Sequence, residues 1–197
     1  MHKGKRCAVA CALAFACGAL AWAESGATVA ALPLTALDGD DVTIEPHSVL
    51  GALLIVGFSQ ESGDQTRAWG HHVAEWADER SGSGTPTPPM HLRVESSATE
   101  DHMPVFSIVV IGETSRFMRG MFRRMMKGVM PAEVEGSFFL AYESADTWRE
   151  VAAVDDEAAA YVLRIDATGG ICGRHAGPPS DEALAGLVDA PCSSETR

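Results

Sequence analysis

The stretch IVGFSQESGDQTRAW, residues 55–69, decides the fold because it joins two patterns of different period. It begins inside an uninterrupted apolar run, residues 50–58, whose valine, isoleucine and phenylalanine predict a strand buried on both faces. Polar residues follow, and Ser62 or Asp64 is suited to cap a helix. The sequence therefore predicts a buried strand that passes directly into a helix at residues 59–65.

Periodicity and turn signals predict the elements on either side of this junction. Trp69, Val73 and Trp76 recur at helical spacing and indicate one buried stripe. Residues 79–91, rich in serine, glycine and proline, predict a flexible surface loop. The other predicted elements are a hairpin over 32–44, strands over 105–111 and 136–142, a helix over 116–129, a hairpin over 161–174 and a helix capped by Ser180. This alternation predicts a single α/β domain, a central mixed sheet flanked by helices with an N-terminal β-hairpin.

The two ends of the chain predict segments outside this domain. Residues 1–23 combine a short basic start, an apolar run and a small-residue cleavage site, which is typical of a secretory signal peptide. A lipoprotein anchored at Cys17 is the less favoured alternative. We therefore expect an exported chain, periplasmic or extracellular, with a short N-terminal segment at 24–31, the domain at 32–192 and a tail at 193–197.

The charge of the mature chain excludes some classes of partner. The 197 residues include 15 basic and 27 acidic ones, and the predicted signal peptide holds three of the basic residues and no acidic one. The remaining 174 residues, a length that suits one domain, therefore carry a net charge of −15. Such a surface repels nucleic acid and does not bind anionic lipid through its average field. We expect no nucleic-acid binding and at most peripheral contact with a membrane.

Cysteine usage allows one disulfide in the mature chain. Three of the five cysteines lie in the predicted signal peptide, which leaves Cys172 and Cys192. Two cysteines in an exported chain favour a structural bridge between them. The alternative is a redox-active pair, although such pairs usually sit close together at a helix N-terminus, where the helix dipole lowers the pKa of a thiol.

Three stretches resemble proteins of the thioredoxin-like superfamily. RIDATGGICGRHAG (164–177) resembles its late hairpin, and LPLTALDGDDVTIEP (32–46) resembles the N-terminal hairpin of its peroxiredoxin and thiol-reductase branch. Together with GFSQESGDQTRAW (57–69), the late stretch is most similar to the mitochondrial ATP synthase assembly-factor family, which also carries a basic helix like SRFMRGMFRRMMKG (115–128). The resemblance covers about residues 32–188. It implies a thioredoxin-like fold and a scaffold role in the assembly of a membrane complex.

The chain departs from the thiol enzymes of this superfamily at two places. The position of their cysteine falls within residues 59–65, which contain none, and Ala158-Ala159-Ala160 stands where a cis-proline normally precedes the penultimate strand. Ser59, Ser62 and Gln65 occupy the junction, where we expect them to cap the helix or, alternatively, to bind an anion. A serine hydroxyl has a far higher pKa than a thiol and no adjacent base is evident, so we assign no catalytic residue.

These departures favour a non-enzymatic binding or assembly factor for an envelope or membrane complex. The first alternative is an enzyme, a divergent thiol oxidoreductase or peroxidase that uses Cys172 with Cys192 as the resolving cysteine. The second alternative is a carrier of a small ligand or of copper. We expect no cofactor.

The segment 116–130 carries the strongest candidate for a docking surface. At 100° per residue the helix divides into a basic face and an apolar arc. The basic residues are Arg116, Arg119, Arg123 and Lys127 on one face, with Arg124 as a fifth. The apolar arc holds Phe117, Met118, Met121, Phe122, Met125 and Val129. We expect the apolar arc to face the core, and the basic edge to dock on an acidic protein partner in a membrane-associated complex.

Methionine and histidine are the basis of the copper alternative, because thioethers and imidazoles are ligands for soft metals. The candidate ligands are Met118, Met121, Met125, Met126, Met130, His71, His72, His91 and His102. However, Met126 and Met130 lie off the arc of the other methionines, and adjacent histidines on a helix point about 100° apart. We therefore expect no specific metal site.

Overall fold

The computed structural model describes residues 29, 32–44, 51–81, 91–96, 99–130, 136–143 and 145–192. The predicted signal peptide with Cys17, the tail and most of the predicted surface loop lie outside these residues. The described elements are β1 (Leu34–Ala36), β2 (Asp41–Val42), β3 (Ala52–Gly57), α1 (Gln60–Ser81), β4 (His91–Ser96), β5 (Thr99–Val110), α2 (Arg116–Val129), β6 (Phe138–Ala141), α3 (Ala145–Ala152), β7 (Tyr161–Ile165), β8 (Ile171–Ala176) and α4 (Asp181–Val188).

The sheet is mixed, as the sequence predicts. In the described part of the chain its strand order is β2-β1-β6-β5-β3-β7-β8, and β4 pairs with β5 beside this path. β3 runs parallel to β5, and β5 parallel to β6. β7 is antiparallel to β3 and to β8. A β-α-β unit (β3, α1, β5) joined to a β-β-α unit (β7, β8, α4) on one sheet is the thioredoxin-like α/β fold, which confirms the predicted fold class.

The core lies on both faces of β3, because every residue of this strand is buried. Leu53 and Ile55 pack with Trp69 on the face that α1 and α4 cover. Leu54 and Val56 belong to the cluster on the opposite face, which α3 covers. The prediction of a strand buried on both faces is therefore confirmed, and so is the buried stripe of α1, whose tryptophans have almost no exposed surface.

Two elements differ from the sequence-based prediction. A β4–β5 hairpin occupies residues 91–110, and β5 begins at Thr99 rather than near residue 105. The strand that the sequence did not predict is β4, which comes directly after the Ser/Gly/Pro loop in the chain. The pairing of two strands depends on backbone hydrogen bonds, and the pattern of side chains does not reveal it. α3 is only eight residues long, so its two turns are too few for a periodic signal, although Trp148 and Val151 on its inner side are buried.

Within the described residues, no helix combines the length and apolarity that a bilayer crossing needs.

Candidate functional site

The strand-to-helix junction is held by a reciprocal serine cap. The Ser59 hydroxyl oxygen accepts from the backbone N–H of Ser62 at 3.1 Å, and the Ser62 hydroxyl oxygen accepts from the backbone N–H of Ser59 at 2.8 Å. The buried Ser62 hydroxyl also accepts from the N–H of Phe58 and donates to the carbonyl of Ser59. The cap residue is Ser59 and the helix begins at Gln60, so neither Ser62 nor Asp64 is the cap residue itself. The expectation that Ser59 and Ser62 serve in capping the helix is confirmed. Ser62 fills the third helical position of a capping box instead.

The same junction is tied to the segment before β7. The Ser59 hydroxyl donates to the carbonyl of Glu157 at 2.8 Å. The Gln65 amide donates to the carbonyl of Ala158 at 3.1 Å and accepts from the N–H of Ala160 at 3.1 Å. The Gln65 side chain therefore makes the donor and acceptor pair of bonds to residues 158–160 that a neighbouring β-strand makes with its backbone. All peptide bonds of the described residues are trans. The hydrogen bonds of Ser59, Ser62 and Gln65 are folding contacts, and the acidic Glu61 in the first turn disfavours an anion there.

The two cysteines of the described residues are joined. A disulfide connects Cys172 in β8 to Cys192, which follows α4. It closes a loop of 20 residues and ties the C-terminal segment to the last strand of the sheet. Because these are the only cysteines among the described residues, that part of the chain offers no free thiol. Chemistry at Cys172 would require reduction of this bond first.

Four of the six residues in the predicted apolar arc of α2 face solvent, and the other two, Met118 and Phe122, are half-buried. The expectation that the arc faces the core is therefore wrong. No residue of α2 is buried. The exposed large apolar side chains are Phe117 at 80%, Met121 at 47%, Met125 at 54% and Val129 at 72%. These four side chains, which we call the apolar stripe, recur every four residues and run about 18 Å along one side of the helix.

Arg119 is one of the residues that attach α2 to the body of the protein. Its guanidinium lies 4.9 Å from the centre of the Tyr142 ring, its Nε donates to the carbonyl of Thr114 at 3.1 Å, and its Nη1 lies 3.5 Å from a carboxylate oxygen of Glu143. The Tyr142 hydroxyl donates in turn to the carbonyl of Arg119 at 3.1 Å. Stacking and bidentate donation let an arginine side chain attach a helix to a protein surface as an aliphatic side chain does.

Arg123 and two methionines complete this attachment. The Arg123 guanidinium lies against Gly39 in the turn between β1 and β2, so closely that a Cβ at Gly39 would overlap it. Met126 and Met130 pack on the small cluster that contains Leu37. Burial raises the pKa of Tyr142, and the nearby positive charges of Arg123 and Arg119 oppose that rise.

The predicted docking residues therefore divide into two groups. Arg119 and Arg123 are half-buried against the body, where they position the helix. Arg116, Arg124 and Lys127 are exposed beside the apolar stripe. Sequence periodicity identified which residues of α2 share a face, but it did not identify the side that contacts the body. That side combines arginines with methionines: Arg119, Arg123, Met126 and Met130.

The described residues do not gather metal ligands. They contain no group of three or more His, Cys, Asp or Glu placed to hold an ion. Met121 and Met125 are exposed, whereas Met126 and Met130 face the body, so the thioethers do not converge. The side chains of His91 and His102 lie outside the described part of the structure.

Among known proteins, several solved structures are similar to this chain. No protein-family model matches the chain, and no curated protein matches it. The chain is similar to the exposed lipoprotein thioredoxin Etrx1 of Streptococcus pneumoniae, with 16% identity, 80% of this chain and 96% of that chain covered, and a TM-score of 0.46. The N-terminal domain of PilB from Neisseria gonorrhoeae is similar at 8% identity, with 83% and 93% covered and a TM-score of 0.48.

A third similar structure is BsSco, a member of the Sco family of cytochrome c oxidase assembly proteins, at 12% identity, with 86% of this chain and 95% of that chain covered and a TM-score of 0.46. Identities and TM-scores of this size transfer no activity. The strand order of the chain itself defines its fold.

Proposed function

We propose that this chain is an exported, non-catalytic binding protein, an assembly-type factor that docks on a protein of a membrane-associated complex through α2. One observation carries the proposal: a helix with five basic residues and no acidic one turns four large apolar side chains to solvent. An amphipathic helix normally buries its apolar face. Aligned apolar side chains that remain exposed are typical of an interaction site.

The apolar stripe has the form of a helix-in-groove anchor. Its members recur at four-residue spacing, so they form a ridge that fits a groove between side chains of a partner. Burial of a large apolar side chain contributes about 1.5–3 kcal/mol before the costs of association. Phe117, the most exposed of the four, is the strongest candidate for a hot spot.

Charge favours an acidic protein surface as the occupant of this face. Outside α2 the mature chain has seven basic residues against 27 acidic ones, a net charge of −20. The exposed cations Arg116, Arg124 and Lys127 therefore form a local basic patch beside the stripe. A second copy of α2 would bring like charges together, which disfavours self-association through this face.

A planar anionic membrane fits this face less well than a protein groove. Exposed carboxylates border α2 on the body: Asp38, Asp40 and Asp41 near the contact of Arg123 with the β1–β2 turn, and Glu113 and Glu143 near Arg119. These carboxylates belong to a surface that carries a net charge of −20 outside α2, and this charge repels an anionic bilayer. A groove about as wide as one helix would contact the stripe and its basic flank and leave the carboxylates in solvent.

The test is affinity capture from detergent-solubilised envelope proteins by the immobilised mature chain, residues 24–197. The stripe variant replaces all four residues by serine, and its matched control carries F117L, M121L, M125L and V129I. A third variant reverses the exposed cations, with R116E, R124E and K127E. None of these side chains is buried, so we expect all variants to keep the wild-type fold by circular dichroism.

The proposal predicts an acidic protein that the wild type and the matched control retain, and that the stripe and charge-reversed variants lose. Retention of the same proteins by the wild type and the stripe variant would refute docking through α2. Binding to vesicles of anionic lipid in place of a protein would refute the proposed occupant.

A further inference from the structure

We propose that Met121 and Met125 form an oxidative modification site, at which conversion to methionine sulfoxide switches off docking by α2. This inference rests on the proposed function, because it concerns the regulation of the same surface. The two residues are one helical turn apart at the centre of the apolar stripe, between Phe117 and Val129.

Exposure makes these two methionines more accessible to an oxidant than the methionines that pack inside the fold. About half of each side chain is open to solvent. Met103, by contrast, is completely buried, and Met126 and Met130 pack on the cluster around Leu37. An oxidant therefore reaches the centre of the stripe before it reaches the methionines that hold the structure together.

Thiols do not compete for the oxidant in the described part of the chain. The thiolate is normally the more reactive sulfur group toward peroxides. Here Cys172 and Cys192 are joined in a disulfide. The exposed thioethers of α2 are thus the accessible reduced sulfur of this surface.

The chemical step is a two-electron oxygen transfer from a peroxide. The thioether sulfur attacks one peroxide oxygen, the O–O bond breaks and an S–O bond forms. With hydrogen peroxide the other oxygen takes up the proton and leaves as water, so the sulfur is oxidised and the peroxide is reduced. A methionine sulfoxide reductase restores the thioether: the sulfoxide oxygen leaves as water while two thiols become a disulfide.

The product changes the surface without changing the fold. A sulfoxide oxygen is a strong hydrogen-bond acceptor, so water solvates it on free α2. In the centre of an apolar interface the same oxygen is left without a donor, which opposes binding. We expect oxidation of both residues to weaken docking by about tenfold or more, with the circular dichroism spectrum unchanged.

The experiment oxidises the mature chain with graded hydrogen peroxide and maps the oxygen gained at each methionine by peptide mass spectrometry. The oxidised chain then enters the envelope capture described above, beside an M121L/M125L variant treated in the same way. Leucine keeps the apolar surface and removes both reactive sulfurs. We expect Met121 and Met125 to oxidise before Met103, Met126 and Met130. The oxidised wild type should lose its partner, whereas peroxide should not lower capture by the leucine variant below the level of the same variant without peroxide. Sulfoxide reductase treatment should restore capture by the wild type.

Three results would overturn the inference, and they separate it from the docking proposal. If the unoxidised wild type captures no protein that the stripe variant loses, the docking function fails and the switch fails with it. If the unoxidised chain docks and the fully oxidised chain docks equally well, only the switch fails. The switch fails likewise if Met121 and Met125 oxidise no faster than Met103, or if the treated leucine variant loses capture as the wild type does.

Discussion

At the scale of single residues, the sequence predicts that the side chain of Asp166 bonds to the turn of the β7–β8 hairpin, but it does not give the individual bonds. Asp166 follows a strand and precedes Thr168 and two glycines, a pattern that favours a side chain bonded to its own turn. The structure shows that its carboxylate accepts from the N–H and the hydroxyl of Thr168, at 2.7 and 2.6 Å, and from the N–H of Gly170 at 2.9 Å. Sequence located the α1 cap only to within three residues, because Ser59 and Ser62 are the same residue type and only the bond geometry separates their roles.

The charge of Asp166 should make the stability of the hairpin depend on pH. Burial acts to raise its pKa, but the hydrogen bonds from Thr168 and from the backbone of residues 168–170 outweigh it, so the pKa is lowered. A carboxyl with a lowered pKa contributes stability above its unfolded value, about 3.9, and loses it as the pH falls through the folded value.

We therefore expect D166A to lower the free energy of unfolding by about 1–3 kcal/mol at pH 7, measured by urea denaturation. The difference from the wild type should shrink as the pH falls below about 4. A difference that is equal at pH 7 and pH 3 would contradict a role for the ionised carboxylate.

At the scale of elements, the fully periodic segments were predictable and the orientation of α2 was not. Periodicity identifies which residues share a face, but the partner of each face depends on what the rest of the fold presents. Here the fold presents the Tyr142 ring and the carbonyl of Thr114, to which an arginine binds better than a methionine does. The order of the other elements followed from local pattern, except for β4 and α3, whose signals were short.

The attachment of α2 predicts a sensitive position outside the helix. Gly39 has a φ of +109°, and a Cβ there would overlap the Arg123 guanidinium. We expect G39A to lower the free energy of unfolding by about 1–2 kcal/mol, and to increase amide hydrogen exchange in α2 because Arg123 is displaced.

G63A is the matched control for this change. Gly63 lies within α1 with open space around its Cβ position, so alanine there should stabilise the chain by about 0.5–1 kcal/mol and leave exchange in α2 unchanged. Unaltered α2 exchange in G39A would show that Arg123 does not hold the helix.

At the scale of the whole molecule, the sheet separates the disulfide from α2, the proposed docking helix. The disulfide lies at the β8 edge, whereas α2 packs on β6 and its neighbours near the other edge. The predicted fold class followed from the alternation of strands and helices, since that alternation admits few sheet topologies. The function of the two edges could not be read from the pattern, because it depends on which surfaces remain uncovered after folding.

This separation predicts that the disulfide stabilises the fold without serving the docking surface. The C172S/C192S variant should lose about 3 kcal/mol of unfolding free energy, as expected for a closed loop of 20 residues, measured by urea denaturation. Capture of the partner at moderate temperature should be unchanged. Loss of a peroxide- or disulfide-reducing activity in this variant would instead support the thiol-enzyme alternative.

Docking through α2 is tested most directly by the affinity of the captured partner for the wild type and for the stripe variant. Calorimetry measures both affinities, with the leucine and isoleucine control beside them. If the exposed face of α2 is the docking surface, the serine replacements should weaken binding by at least about 100-fold, and the control by less than about tenfold. Equal affinities for all three proteins would contradict the account, because the partner would then bind elsewhere on the molecule.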